Sequence, residues 1–223
     1  MKIQLENVLP MDIEKRSFEI ITEELGDRKF LPEQESIIKR VIHTTADFDY
    51  ADNLYFSENA VARAKEAIAE GVSIVTDTQM AMSGINKKTL AKFGGKVYNF
   101  MSDEDVAEMA RKNKTTRATA CIDKAAAMGE PFIFAVGNAP TALVRLYELI
   151  IEEKIRPKLI IGVPVGFVNV VASKELIMET EIPYIIAKGR KGGSNVAAAI
   201  CNAILYQICL LYTSPSPRDT ERS

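Results

Sequence analysis

Apolar residues in the first fifty positions recur at helical spacing. Phe18, Ile21 and Leu25 share one side of a segment that runs through Glu14, with Asp12 placed to cap it and Gly26 to close it. Pro32 suits the first turn of a second helix, whose apolar side is Ile37, Ile38, Val41 and Ile42. His43 falls at the C-terminal end of that helix, just before Thr44, Thr45, Ala46 and Asp47. From Ser57 onward the pattern changes. Helical segments at 58–70, 102–113, 117–128, 140–153, 173–180 and 193–208 alternate with short apolar runs at 72–76, 96–100, 131–136, 158–162 and 182–186. Several of these runs are apolar throughout rather than alternating, and each is bounded by Gly, Pro or Asp. Continuous apolar runs separated by helices suit a parallel sheet covered on both faces. The pattern predicts one α/β domain over residues 1–208, with a mostly parallel, five-stranded sheet flanked by helices and a helical N-terminal segment.

Residues 209–223 break this pattern. They have no amphipathic period and hold two of the nine prolines. They resemble translated sequencing-adapter read-through appended to a truncated frame, so we expect a disordered or non-native tail and give it no functional role.

Composition narrows the function. With 47% hydrophobic and 26% charged residues in 223, the chain reads as a soluble globular protein. Lys and Arg total 28 against 30 Asp and Glu, a net charge of -2. That balance supplies no general drive toward nucleic acid or an anionic membrane. Three cysteines without metal spacing, beside one histidine, argue against a zinc site built by the protein. No apolar run approaches the roughly 20 residues that span a bilayer, and the N-terminus shows no signal-peptide core, so a cytoplasmic location is expected. The single histidine, His43, is the smallest count and the most informative.

In an open parallel sheet, ligands bind at the carboxyl ends of the strands. The segments that follow the strands are Asp77 to Gly84 after Thr76, Gly137-Asn138-Ala139-Pro140-Thr141-Ala142, Gly162 to Val168, and Gly189-Arg190-Lys191-Gly192-Gly193-Ser194. Three of them carry glycine and open helices, where free backbone N–H groups and the helix dipole favour an anion. Ordinary strand-to-helix turns use glycine for backbone reasons alone. Several such loops on one sheet edge, with Arg190 and Lys191 in the last, favour an anion pocket instead. No nucleotide-binding fingerprint is present, so a ligand bearing several carboxylates fits at least as well as a phosphate.

Arg40 and His43 stand three residues apart, on one side of the second helix. The plain alternative is a solvated arginine and a histidine that caps the helix end. The functional reading is a general acid or base, since histidine titrates near neutrality. A serine hydrolase would need a nucleophile elbow, and no G-x-S-x-G occurs. Cys121 and Cys201 sit among apolar neighbours and read as core.

Taken in order, these segments resemble the precorrin-8X methylmutase family of corrin biosynthesis. The resemblance is carried by Ile13-Glu14 with Ser17-Phe18, by Val41-Ile42-His43 with Ala46-Asp47, and by Thr76-Asp77 with Met80. Further along it is carried by Gly137 to Ala142, by Pro164 to Val168 with Ser173-Lys174, and by Gly189-Arg190 with Gly192-Gly193-Ser194. It runs from about Leu9 to Gln207. It implies an isomerase that moves a methyl group from C11 to C12 of precorrin-8 or cobalt-precorrin-8, giving hydrogenobyrinate or cobyrinate. It implies a pocket at a homodimer interface, no cofactor (cobalt, if present, belongs to the substrate), and His43 as proton donor and acceptor. Ser17 and Arg40 match positions that contact substrate. Thr76, Asp77, Met80, Gly137, Asn138, Gly166, Gly192 and Ser194 line the implied site, with Arg117 and Arg190 beside Arg40 to grip the substrate's acetates and propionates. The alternative is a corrinoid-binding protein that performs no chemistry.

Overall fold

The computed structural model describes residue 6 and residues 8–213. In chain order the first elements are α1 (Ile13–Leu25), α2 (Pro32–Thr45), α3 (Tyr50–Asn53), β1 (Leu54–Phe56) and α4 (Ala60–Ala69). Next come β2 (Ser73–Thr76), α5 (Gln79–Gly84), α6 (Lys87–Ala91), β3 (Val97–Tyr98), α7 (Glu104–Lys112) and α8 (Arg117–Ala127). The chain continues through β4 (Phe132–Val136), α9 (Pro140–Ile151), β5 (Leu159–Gly162), α10 (Val170–Met178), β6 (Tyr184–Ala187) and α11 (Ser194–Thr213).

The described residues form a six-stranded sheet in the order β1-β6-β5-β4-β2-β3. Five strands are mutually parallel, with Ile74 opposite Ile133, Phe134 opposite Ile160 and Ile161 opposite Ile185. These are the five apolar runs. The sixth strand, β1, lies antiparallel on the outer edge of β6, Leu54 opposite Ala187. The apolar pattern does not reveal β1: three residues running from buried to exposed to half-buried are too few to show a period.

Side chains on each strand alternate between two cores. Ile74, Ile133, Ala135, Leu159, Ile161 and Ile185 pack with α1, α2, α4 and α11 on one face. Val75, Phe132, Phe134, Val136, Ile160 and Ile186 pack with α7, α8, α9 and α10 on the other. All five side chains of β4 are buried, which is why its sequence shows no alternation. At about 1.5–3 kcal/mol for each large aliphatic or aromatic side chain removed from water, these two layers dominate the stability of the fold.

Two of the three helix-end signals hold, whereas Asp12 stands at the N-cap of α1 without a side-chain bond to its amides. Gly26 closes α1 at φ 59, and Pro32 opens α2 in its first turn. The close of α2 is less ordinary: Ala46 sits at φ 53, and its N–H bonds to Ile42 O at 2.7 Å. The last helix, α11, packs against α2, α4 and α5 and buries Val196, Ile200, Ile204, Leu205 and Ile208. It continues through Thr213, five residues into the stretch expected as tail; residues 214–223 of that stretch lie outside the described residues. Among the described residues, no helix is long and apolar enough to cross a membrane.

Candidate functional site

The strand order reverses between β2 and β4, where an open α/β sheet leaves a crevice at its carboxyl edge. Here the chain fills that crevice itself. Asp77, 3% exposed just beyond β2, accepts the N–H groups of Gly137 at 2.8 Å, Asn138 at 2.8 Å and Ala139 at 2.7 Å. The amides that the sequence offers to an anion are therefore taken by a carboxylate of the same chain, which caps α9 from the neighbouring strand. Burial pushes the Asp77 carboxyl up from its ordinary range, while the three amides pull it back. Thr76 Oγ1 lies 3.1 Å from Thr78 O and 3.2 Å from Tyr98 O. Thr78 and Ser194 share a hydroxyl contact of 2.7 Å. Gly137 abuts the start of α11 so closely that a Cβ there would stand 2.7 Å from Ser194 Cα. Thr76, Asp77, Gly137, Asn138 and Ser194 thus come together, as a hydrogen-bonded junction that sets where α11 begins. The Asn138 side chain remains exposed beside it.

His43 is on the wall of a cavity of about 290 Å³ between α2, α5 and α11. Arg40, His43 and Thr44 line it from α2, Gly84 from α5, and Asn195, Ala198, Asn202 and Tyr206 from α11. Helix α1 reaches the same place through Phe18, whose ring stacks on the imidazole at 5.2 Å and 16°. The Arg40 guanidinium lies over Phe18 at 4.8 Å and over Tyr206 at 5.2 Å, and pairs with Glu14. Two ring faces and a carboxylate thus hold Arg40 in one orientation. His43 itself is exposed, so an incoming ligand can reach it. Ser17 is one residue from Phe18, and its hydroxyl donates to Ile13 O at 2.9 Å within α1.

The loop after β6 is held from three sides. Gly193 N–H donates to Val163 O at 2.8 Å and Gly166 N–H to Arg190 O at 3.2 Å, which joins it to the loop after β5. Lys174, 1% exposed on α10, donates to Gly189 O at 2.8 Å and Lys191 O at 2.9 Å. Burial pushes its ammonium down to about 8. Lys191 bridges Asp47 and Asp49, each at 2.6 Å. That pair holds the Asp47 carboxyl below its ordinary range and pushes Lys191 up. Lys191, read from sequence as part of an anion grip, is thus engaged by two carboxylates. Arg190 remains exposed, its guanidinium 5.4 Å from the Phe167 ring.

The remaining candidates are more dispersed. Met80 is exposed on α5 and Arg117 at the start of α8. A larger cavity, about 460 Å³, lies beside α8 and α9 and is lined by Thr119, Asp123, Thr141 and Arg145. Its arginine is already paired with Asp123 and Glu148, and it lies apart from His43. Burial pushes the Cys121 and Cys201 thiols up to about 11 and about 12, which leaves them protonated near neutrality and suits their place in the core. Among the described residues, no group of three His, Cys, Asp or Glu side chains is placed to hold a metal ion.

Beyond Ser194 at its start, the contribution of α11 does not follow from the sequence reading. Asn195, Asn202 and Tyr206 are seven and four apart, a polar stripe along a mostly apolar helix, and that spacing is the available signal.

Comparison with known proteins bears on the same stretch of chain. A family model described as Precorrin-8X methylmutase matches residues 12–207. A Cobalt-precorrin-8 methylmutase from Salmonella typhimurium is 47% identical over 205 residues, covering 89% of this chain and 96% of its own. One from Priestia megaterium is 46% identical over 197 residues, covering 88% of each. The crystal structure of precorrin-8x methyl mutase from Thermus thermophilus superposes with a TM-score of 0.81 at 38% identity, covering 89% of this chain and 98% of that one.

Proposed function

The chain belongs to the precorrin-8X methylmutase family, whose members are isomerases, and from that premise we propose that it moves a methyl group from C11 to C12 of precorrin-8 or cobalt-precorrin-8 in cobalamin biosynthesis. In this reading His43 gives a proton to the conjugated ring system and later takes it back. The bond from the methyl carbon to C11 breaks as the bond to C12 forms, and the conjugated system redistributes the electrons. The product is an isomer of the substrate, so no oxidant or leaving group is required, and the site needs one positioned acid and a firmly held substrate. We propose no protein-bound cofactor; cobalt, where present, is part of the substrate.

The observation that carries the reading is the arrangement around His43. It is the one histidine in the chain, exposed on a cavity wall and stacked on Phe18, with Arg40 fixed beside it. Arg40, Arg190 and Arg117 are the proposed grips for the substrate's carboxylates, and Ser17, Met80, Asn138, Gly166 and Gly192 its further contacts. Thr76, Asp77, Gly137 and Ser194 support the site by fixing the start of α11. A cavity of about 290 Å³ reaches only the lower end of the range that encloses a drug-sized ligand, about 300–1,000 Å³. A tetrapyrrole is larger still, so we propose that a second copy of the chain completes the pocket as a homodimer, acting in the cytoplasm.

The test is to mix purified protein with precorrin-8 or its cobalt form and follow the absorption spectrum. Conversion to the hydrogenobyrinate or cobyrinate spectrum supports the reading. A bound substrate whose spectrum stays unchanged contradicts it and favours the corrinoid-binding alternative.

A further inference from the structure

Lys174 is a buried ammonium that makes no ion pair among the described residues. Removing such a charge from water is costly, and an apolar side chain of similar length would fill the space without that cost. What its position achieves is specific: both acceptors, Gly189 O and Lys191 O, belong to the loop between β6 and α11. The side chain of Lys191 reaches out from that loop to the turn after α2 and bridges Asp47 and Asp49.

That turn is built as one body with the end of α2. Asp47 N–H donates to Thr45 Oγ1 at 3.3 Å, and Asp49 N–H donates to Asp47 Oδ1 at 3.0 Å. The second oxygen of Asp47 is the one that meets Lys191. Between His43 and this turn stands Ala46, left-handed at φ 53, a conformation unfavourable for a residue with a Cβ. Strain of this kind persists only where surrounding contacts hold it. A second tie runs alongside, since Lys188 N–H donates to Asn53 O at 2.7 Å next to the β1–β6 pairing.

We infer that Lys174 and Lys191 act in series as a clamp that positions His43. Lys174 sets the backbone of residues 189–191, and Lys191 carries that setting across to the Asp47–Asp49 turn and the last turn of α2. Neither lysine lines the cavity that holds His43, so both are positioning residues. The effect on turnover rests on the reading of His43 given above; the effect on the imidazole does not.

The chain has one histidine, so the imidazole Cε1–Hε1 signal in a ¹H–¹³C NMR spectrum identifies itself. Spectra at one pH are compared for the wild type, Lys191→Met, Lys174→Met and the control Lys92→Met, an exposed lysine on another surface. Lys191 is also exposed, so its variant folds and decides the question even if Lys174→Met does not. The expected result is a shifted or broadened His43 signal in both clamp variants, an unmoved signal in the control, and return toward the wild-type position in Lys191→Arg. Turnover of precorrin-8 should show kcat falling about 10- to 100-fold in Lys191→Met with little change in KM, as a misplaced catalytic group does. A His43 signal in Lys191→Met that coincides with the wild type overturns the clamp, as does an equal shift in Lys92→Met. If wild-type protein turns over no substrate, the functional reading fails while the NMR comparison still decides the clamp.

Discussion

Replacing Gly192 by alanine would put a methyl group where backbone already stands. Its Cβ would lie 2.0 Å from Val163 O and 2.7 Å from the carbonyl carbon, neither of which belongs to a side chain that could swing away. Relief requires the two loops to part by about 1 Å, and overpacking of this kind costs about 1–3 kcal/mol. Parting them also strains the bond from Gly193 N–H to Val163 O, now 2.8 Å and worth about 0.5–1.5 kcal/mol. The sum is about 2–4 kcal/mol, or a fall in Tm of roughly 5–15 °C for a domain of this length. Gly26→Ala is the matched control: its φ of 59 is also unfavourable for alanine, but nothing lies within 4 Å of the added methyl. It should cost only the backbone strain at φ 59 and ψ -133, about 1–3 kcal/mol, to which Gly192→Ala adds its steric cost. Thermal melts and urea titrations of the two variants against the wild type measure both costs. Equal losses in the two variants would refute the steric argument, because backbone conformation alone would then explain them.

Two other perturbations probe charge. Arg40→Met keeps the apolar stem between Phe18 and Tyr206 but removes the guanidinium, so KM for the polycarboxylate substrate should rise about 10- to 100-fold, the worth of one charged hydrogen bond, with kcat changed less. An unchanged KM would remove Arg40 from the binding role. Lys174 releases its proton near pH 8 in the folded protein and near 10.5 in the unfolded chain. Between those values the unfolded chain holds the extra proton, so this residue makes the folded state more stable as pH rises from 8 toward 10.5, by at most about 3 kcal/mol. Urea denaturation of wild type and Lys174→Met across that range isolates the contribution. A wild-type curve parallel to that of Lys174→Met would show that the buried ammonium titrates normally.

Elements whose identity depends on local pattern were legible from sequence, and those that depend on distant partners were not. The parallel strands showed as short runs rich in apolar residues between turn signals, β4 and β5 apolar on both faces, and α1 and α2 showed because their apolar residues recur at helical spacing. The edge strand β1 owes its existence to β6, more than a hundred residues away, and three residues of its own carry no period. The glycine loops lie at the carboxyl edge of the sheet, as their positions after the strands predict. Their amides read as free only because the acceptor that occupies them, Asp77, is 60 residues earlier in the chain. Lys191 likewise read as a free cation because Asp47 lies 144 residues before it. His43 stood out by composition alone, being the only histidine. The company it keeps, Phe18 from α1 and Tyr206 from α11, comes from two other helices that only the tertiary fold brings to α2.

The most direct test of the central claim is turnover of precorrin-8 by His43→Ala, read by absorption beside a binding titration on the same protein. The imidazole lies on the cavity wall and its removal leaves Arg40 and the loops in place, so substrate should still bind within about tenfold of wild type. The rate of the spectral change should fall by about 10²–10⁴, the usual contribution of a positioned acid or base. A variant that converts substrate at the wild-type rate would show that the proton comes from elsewhere and would contradict the account at its centre.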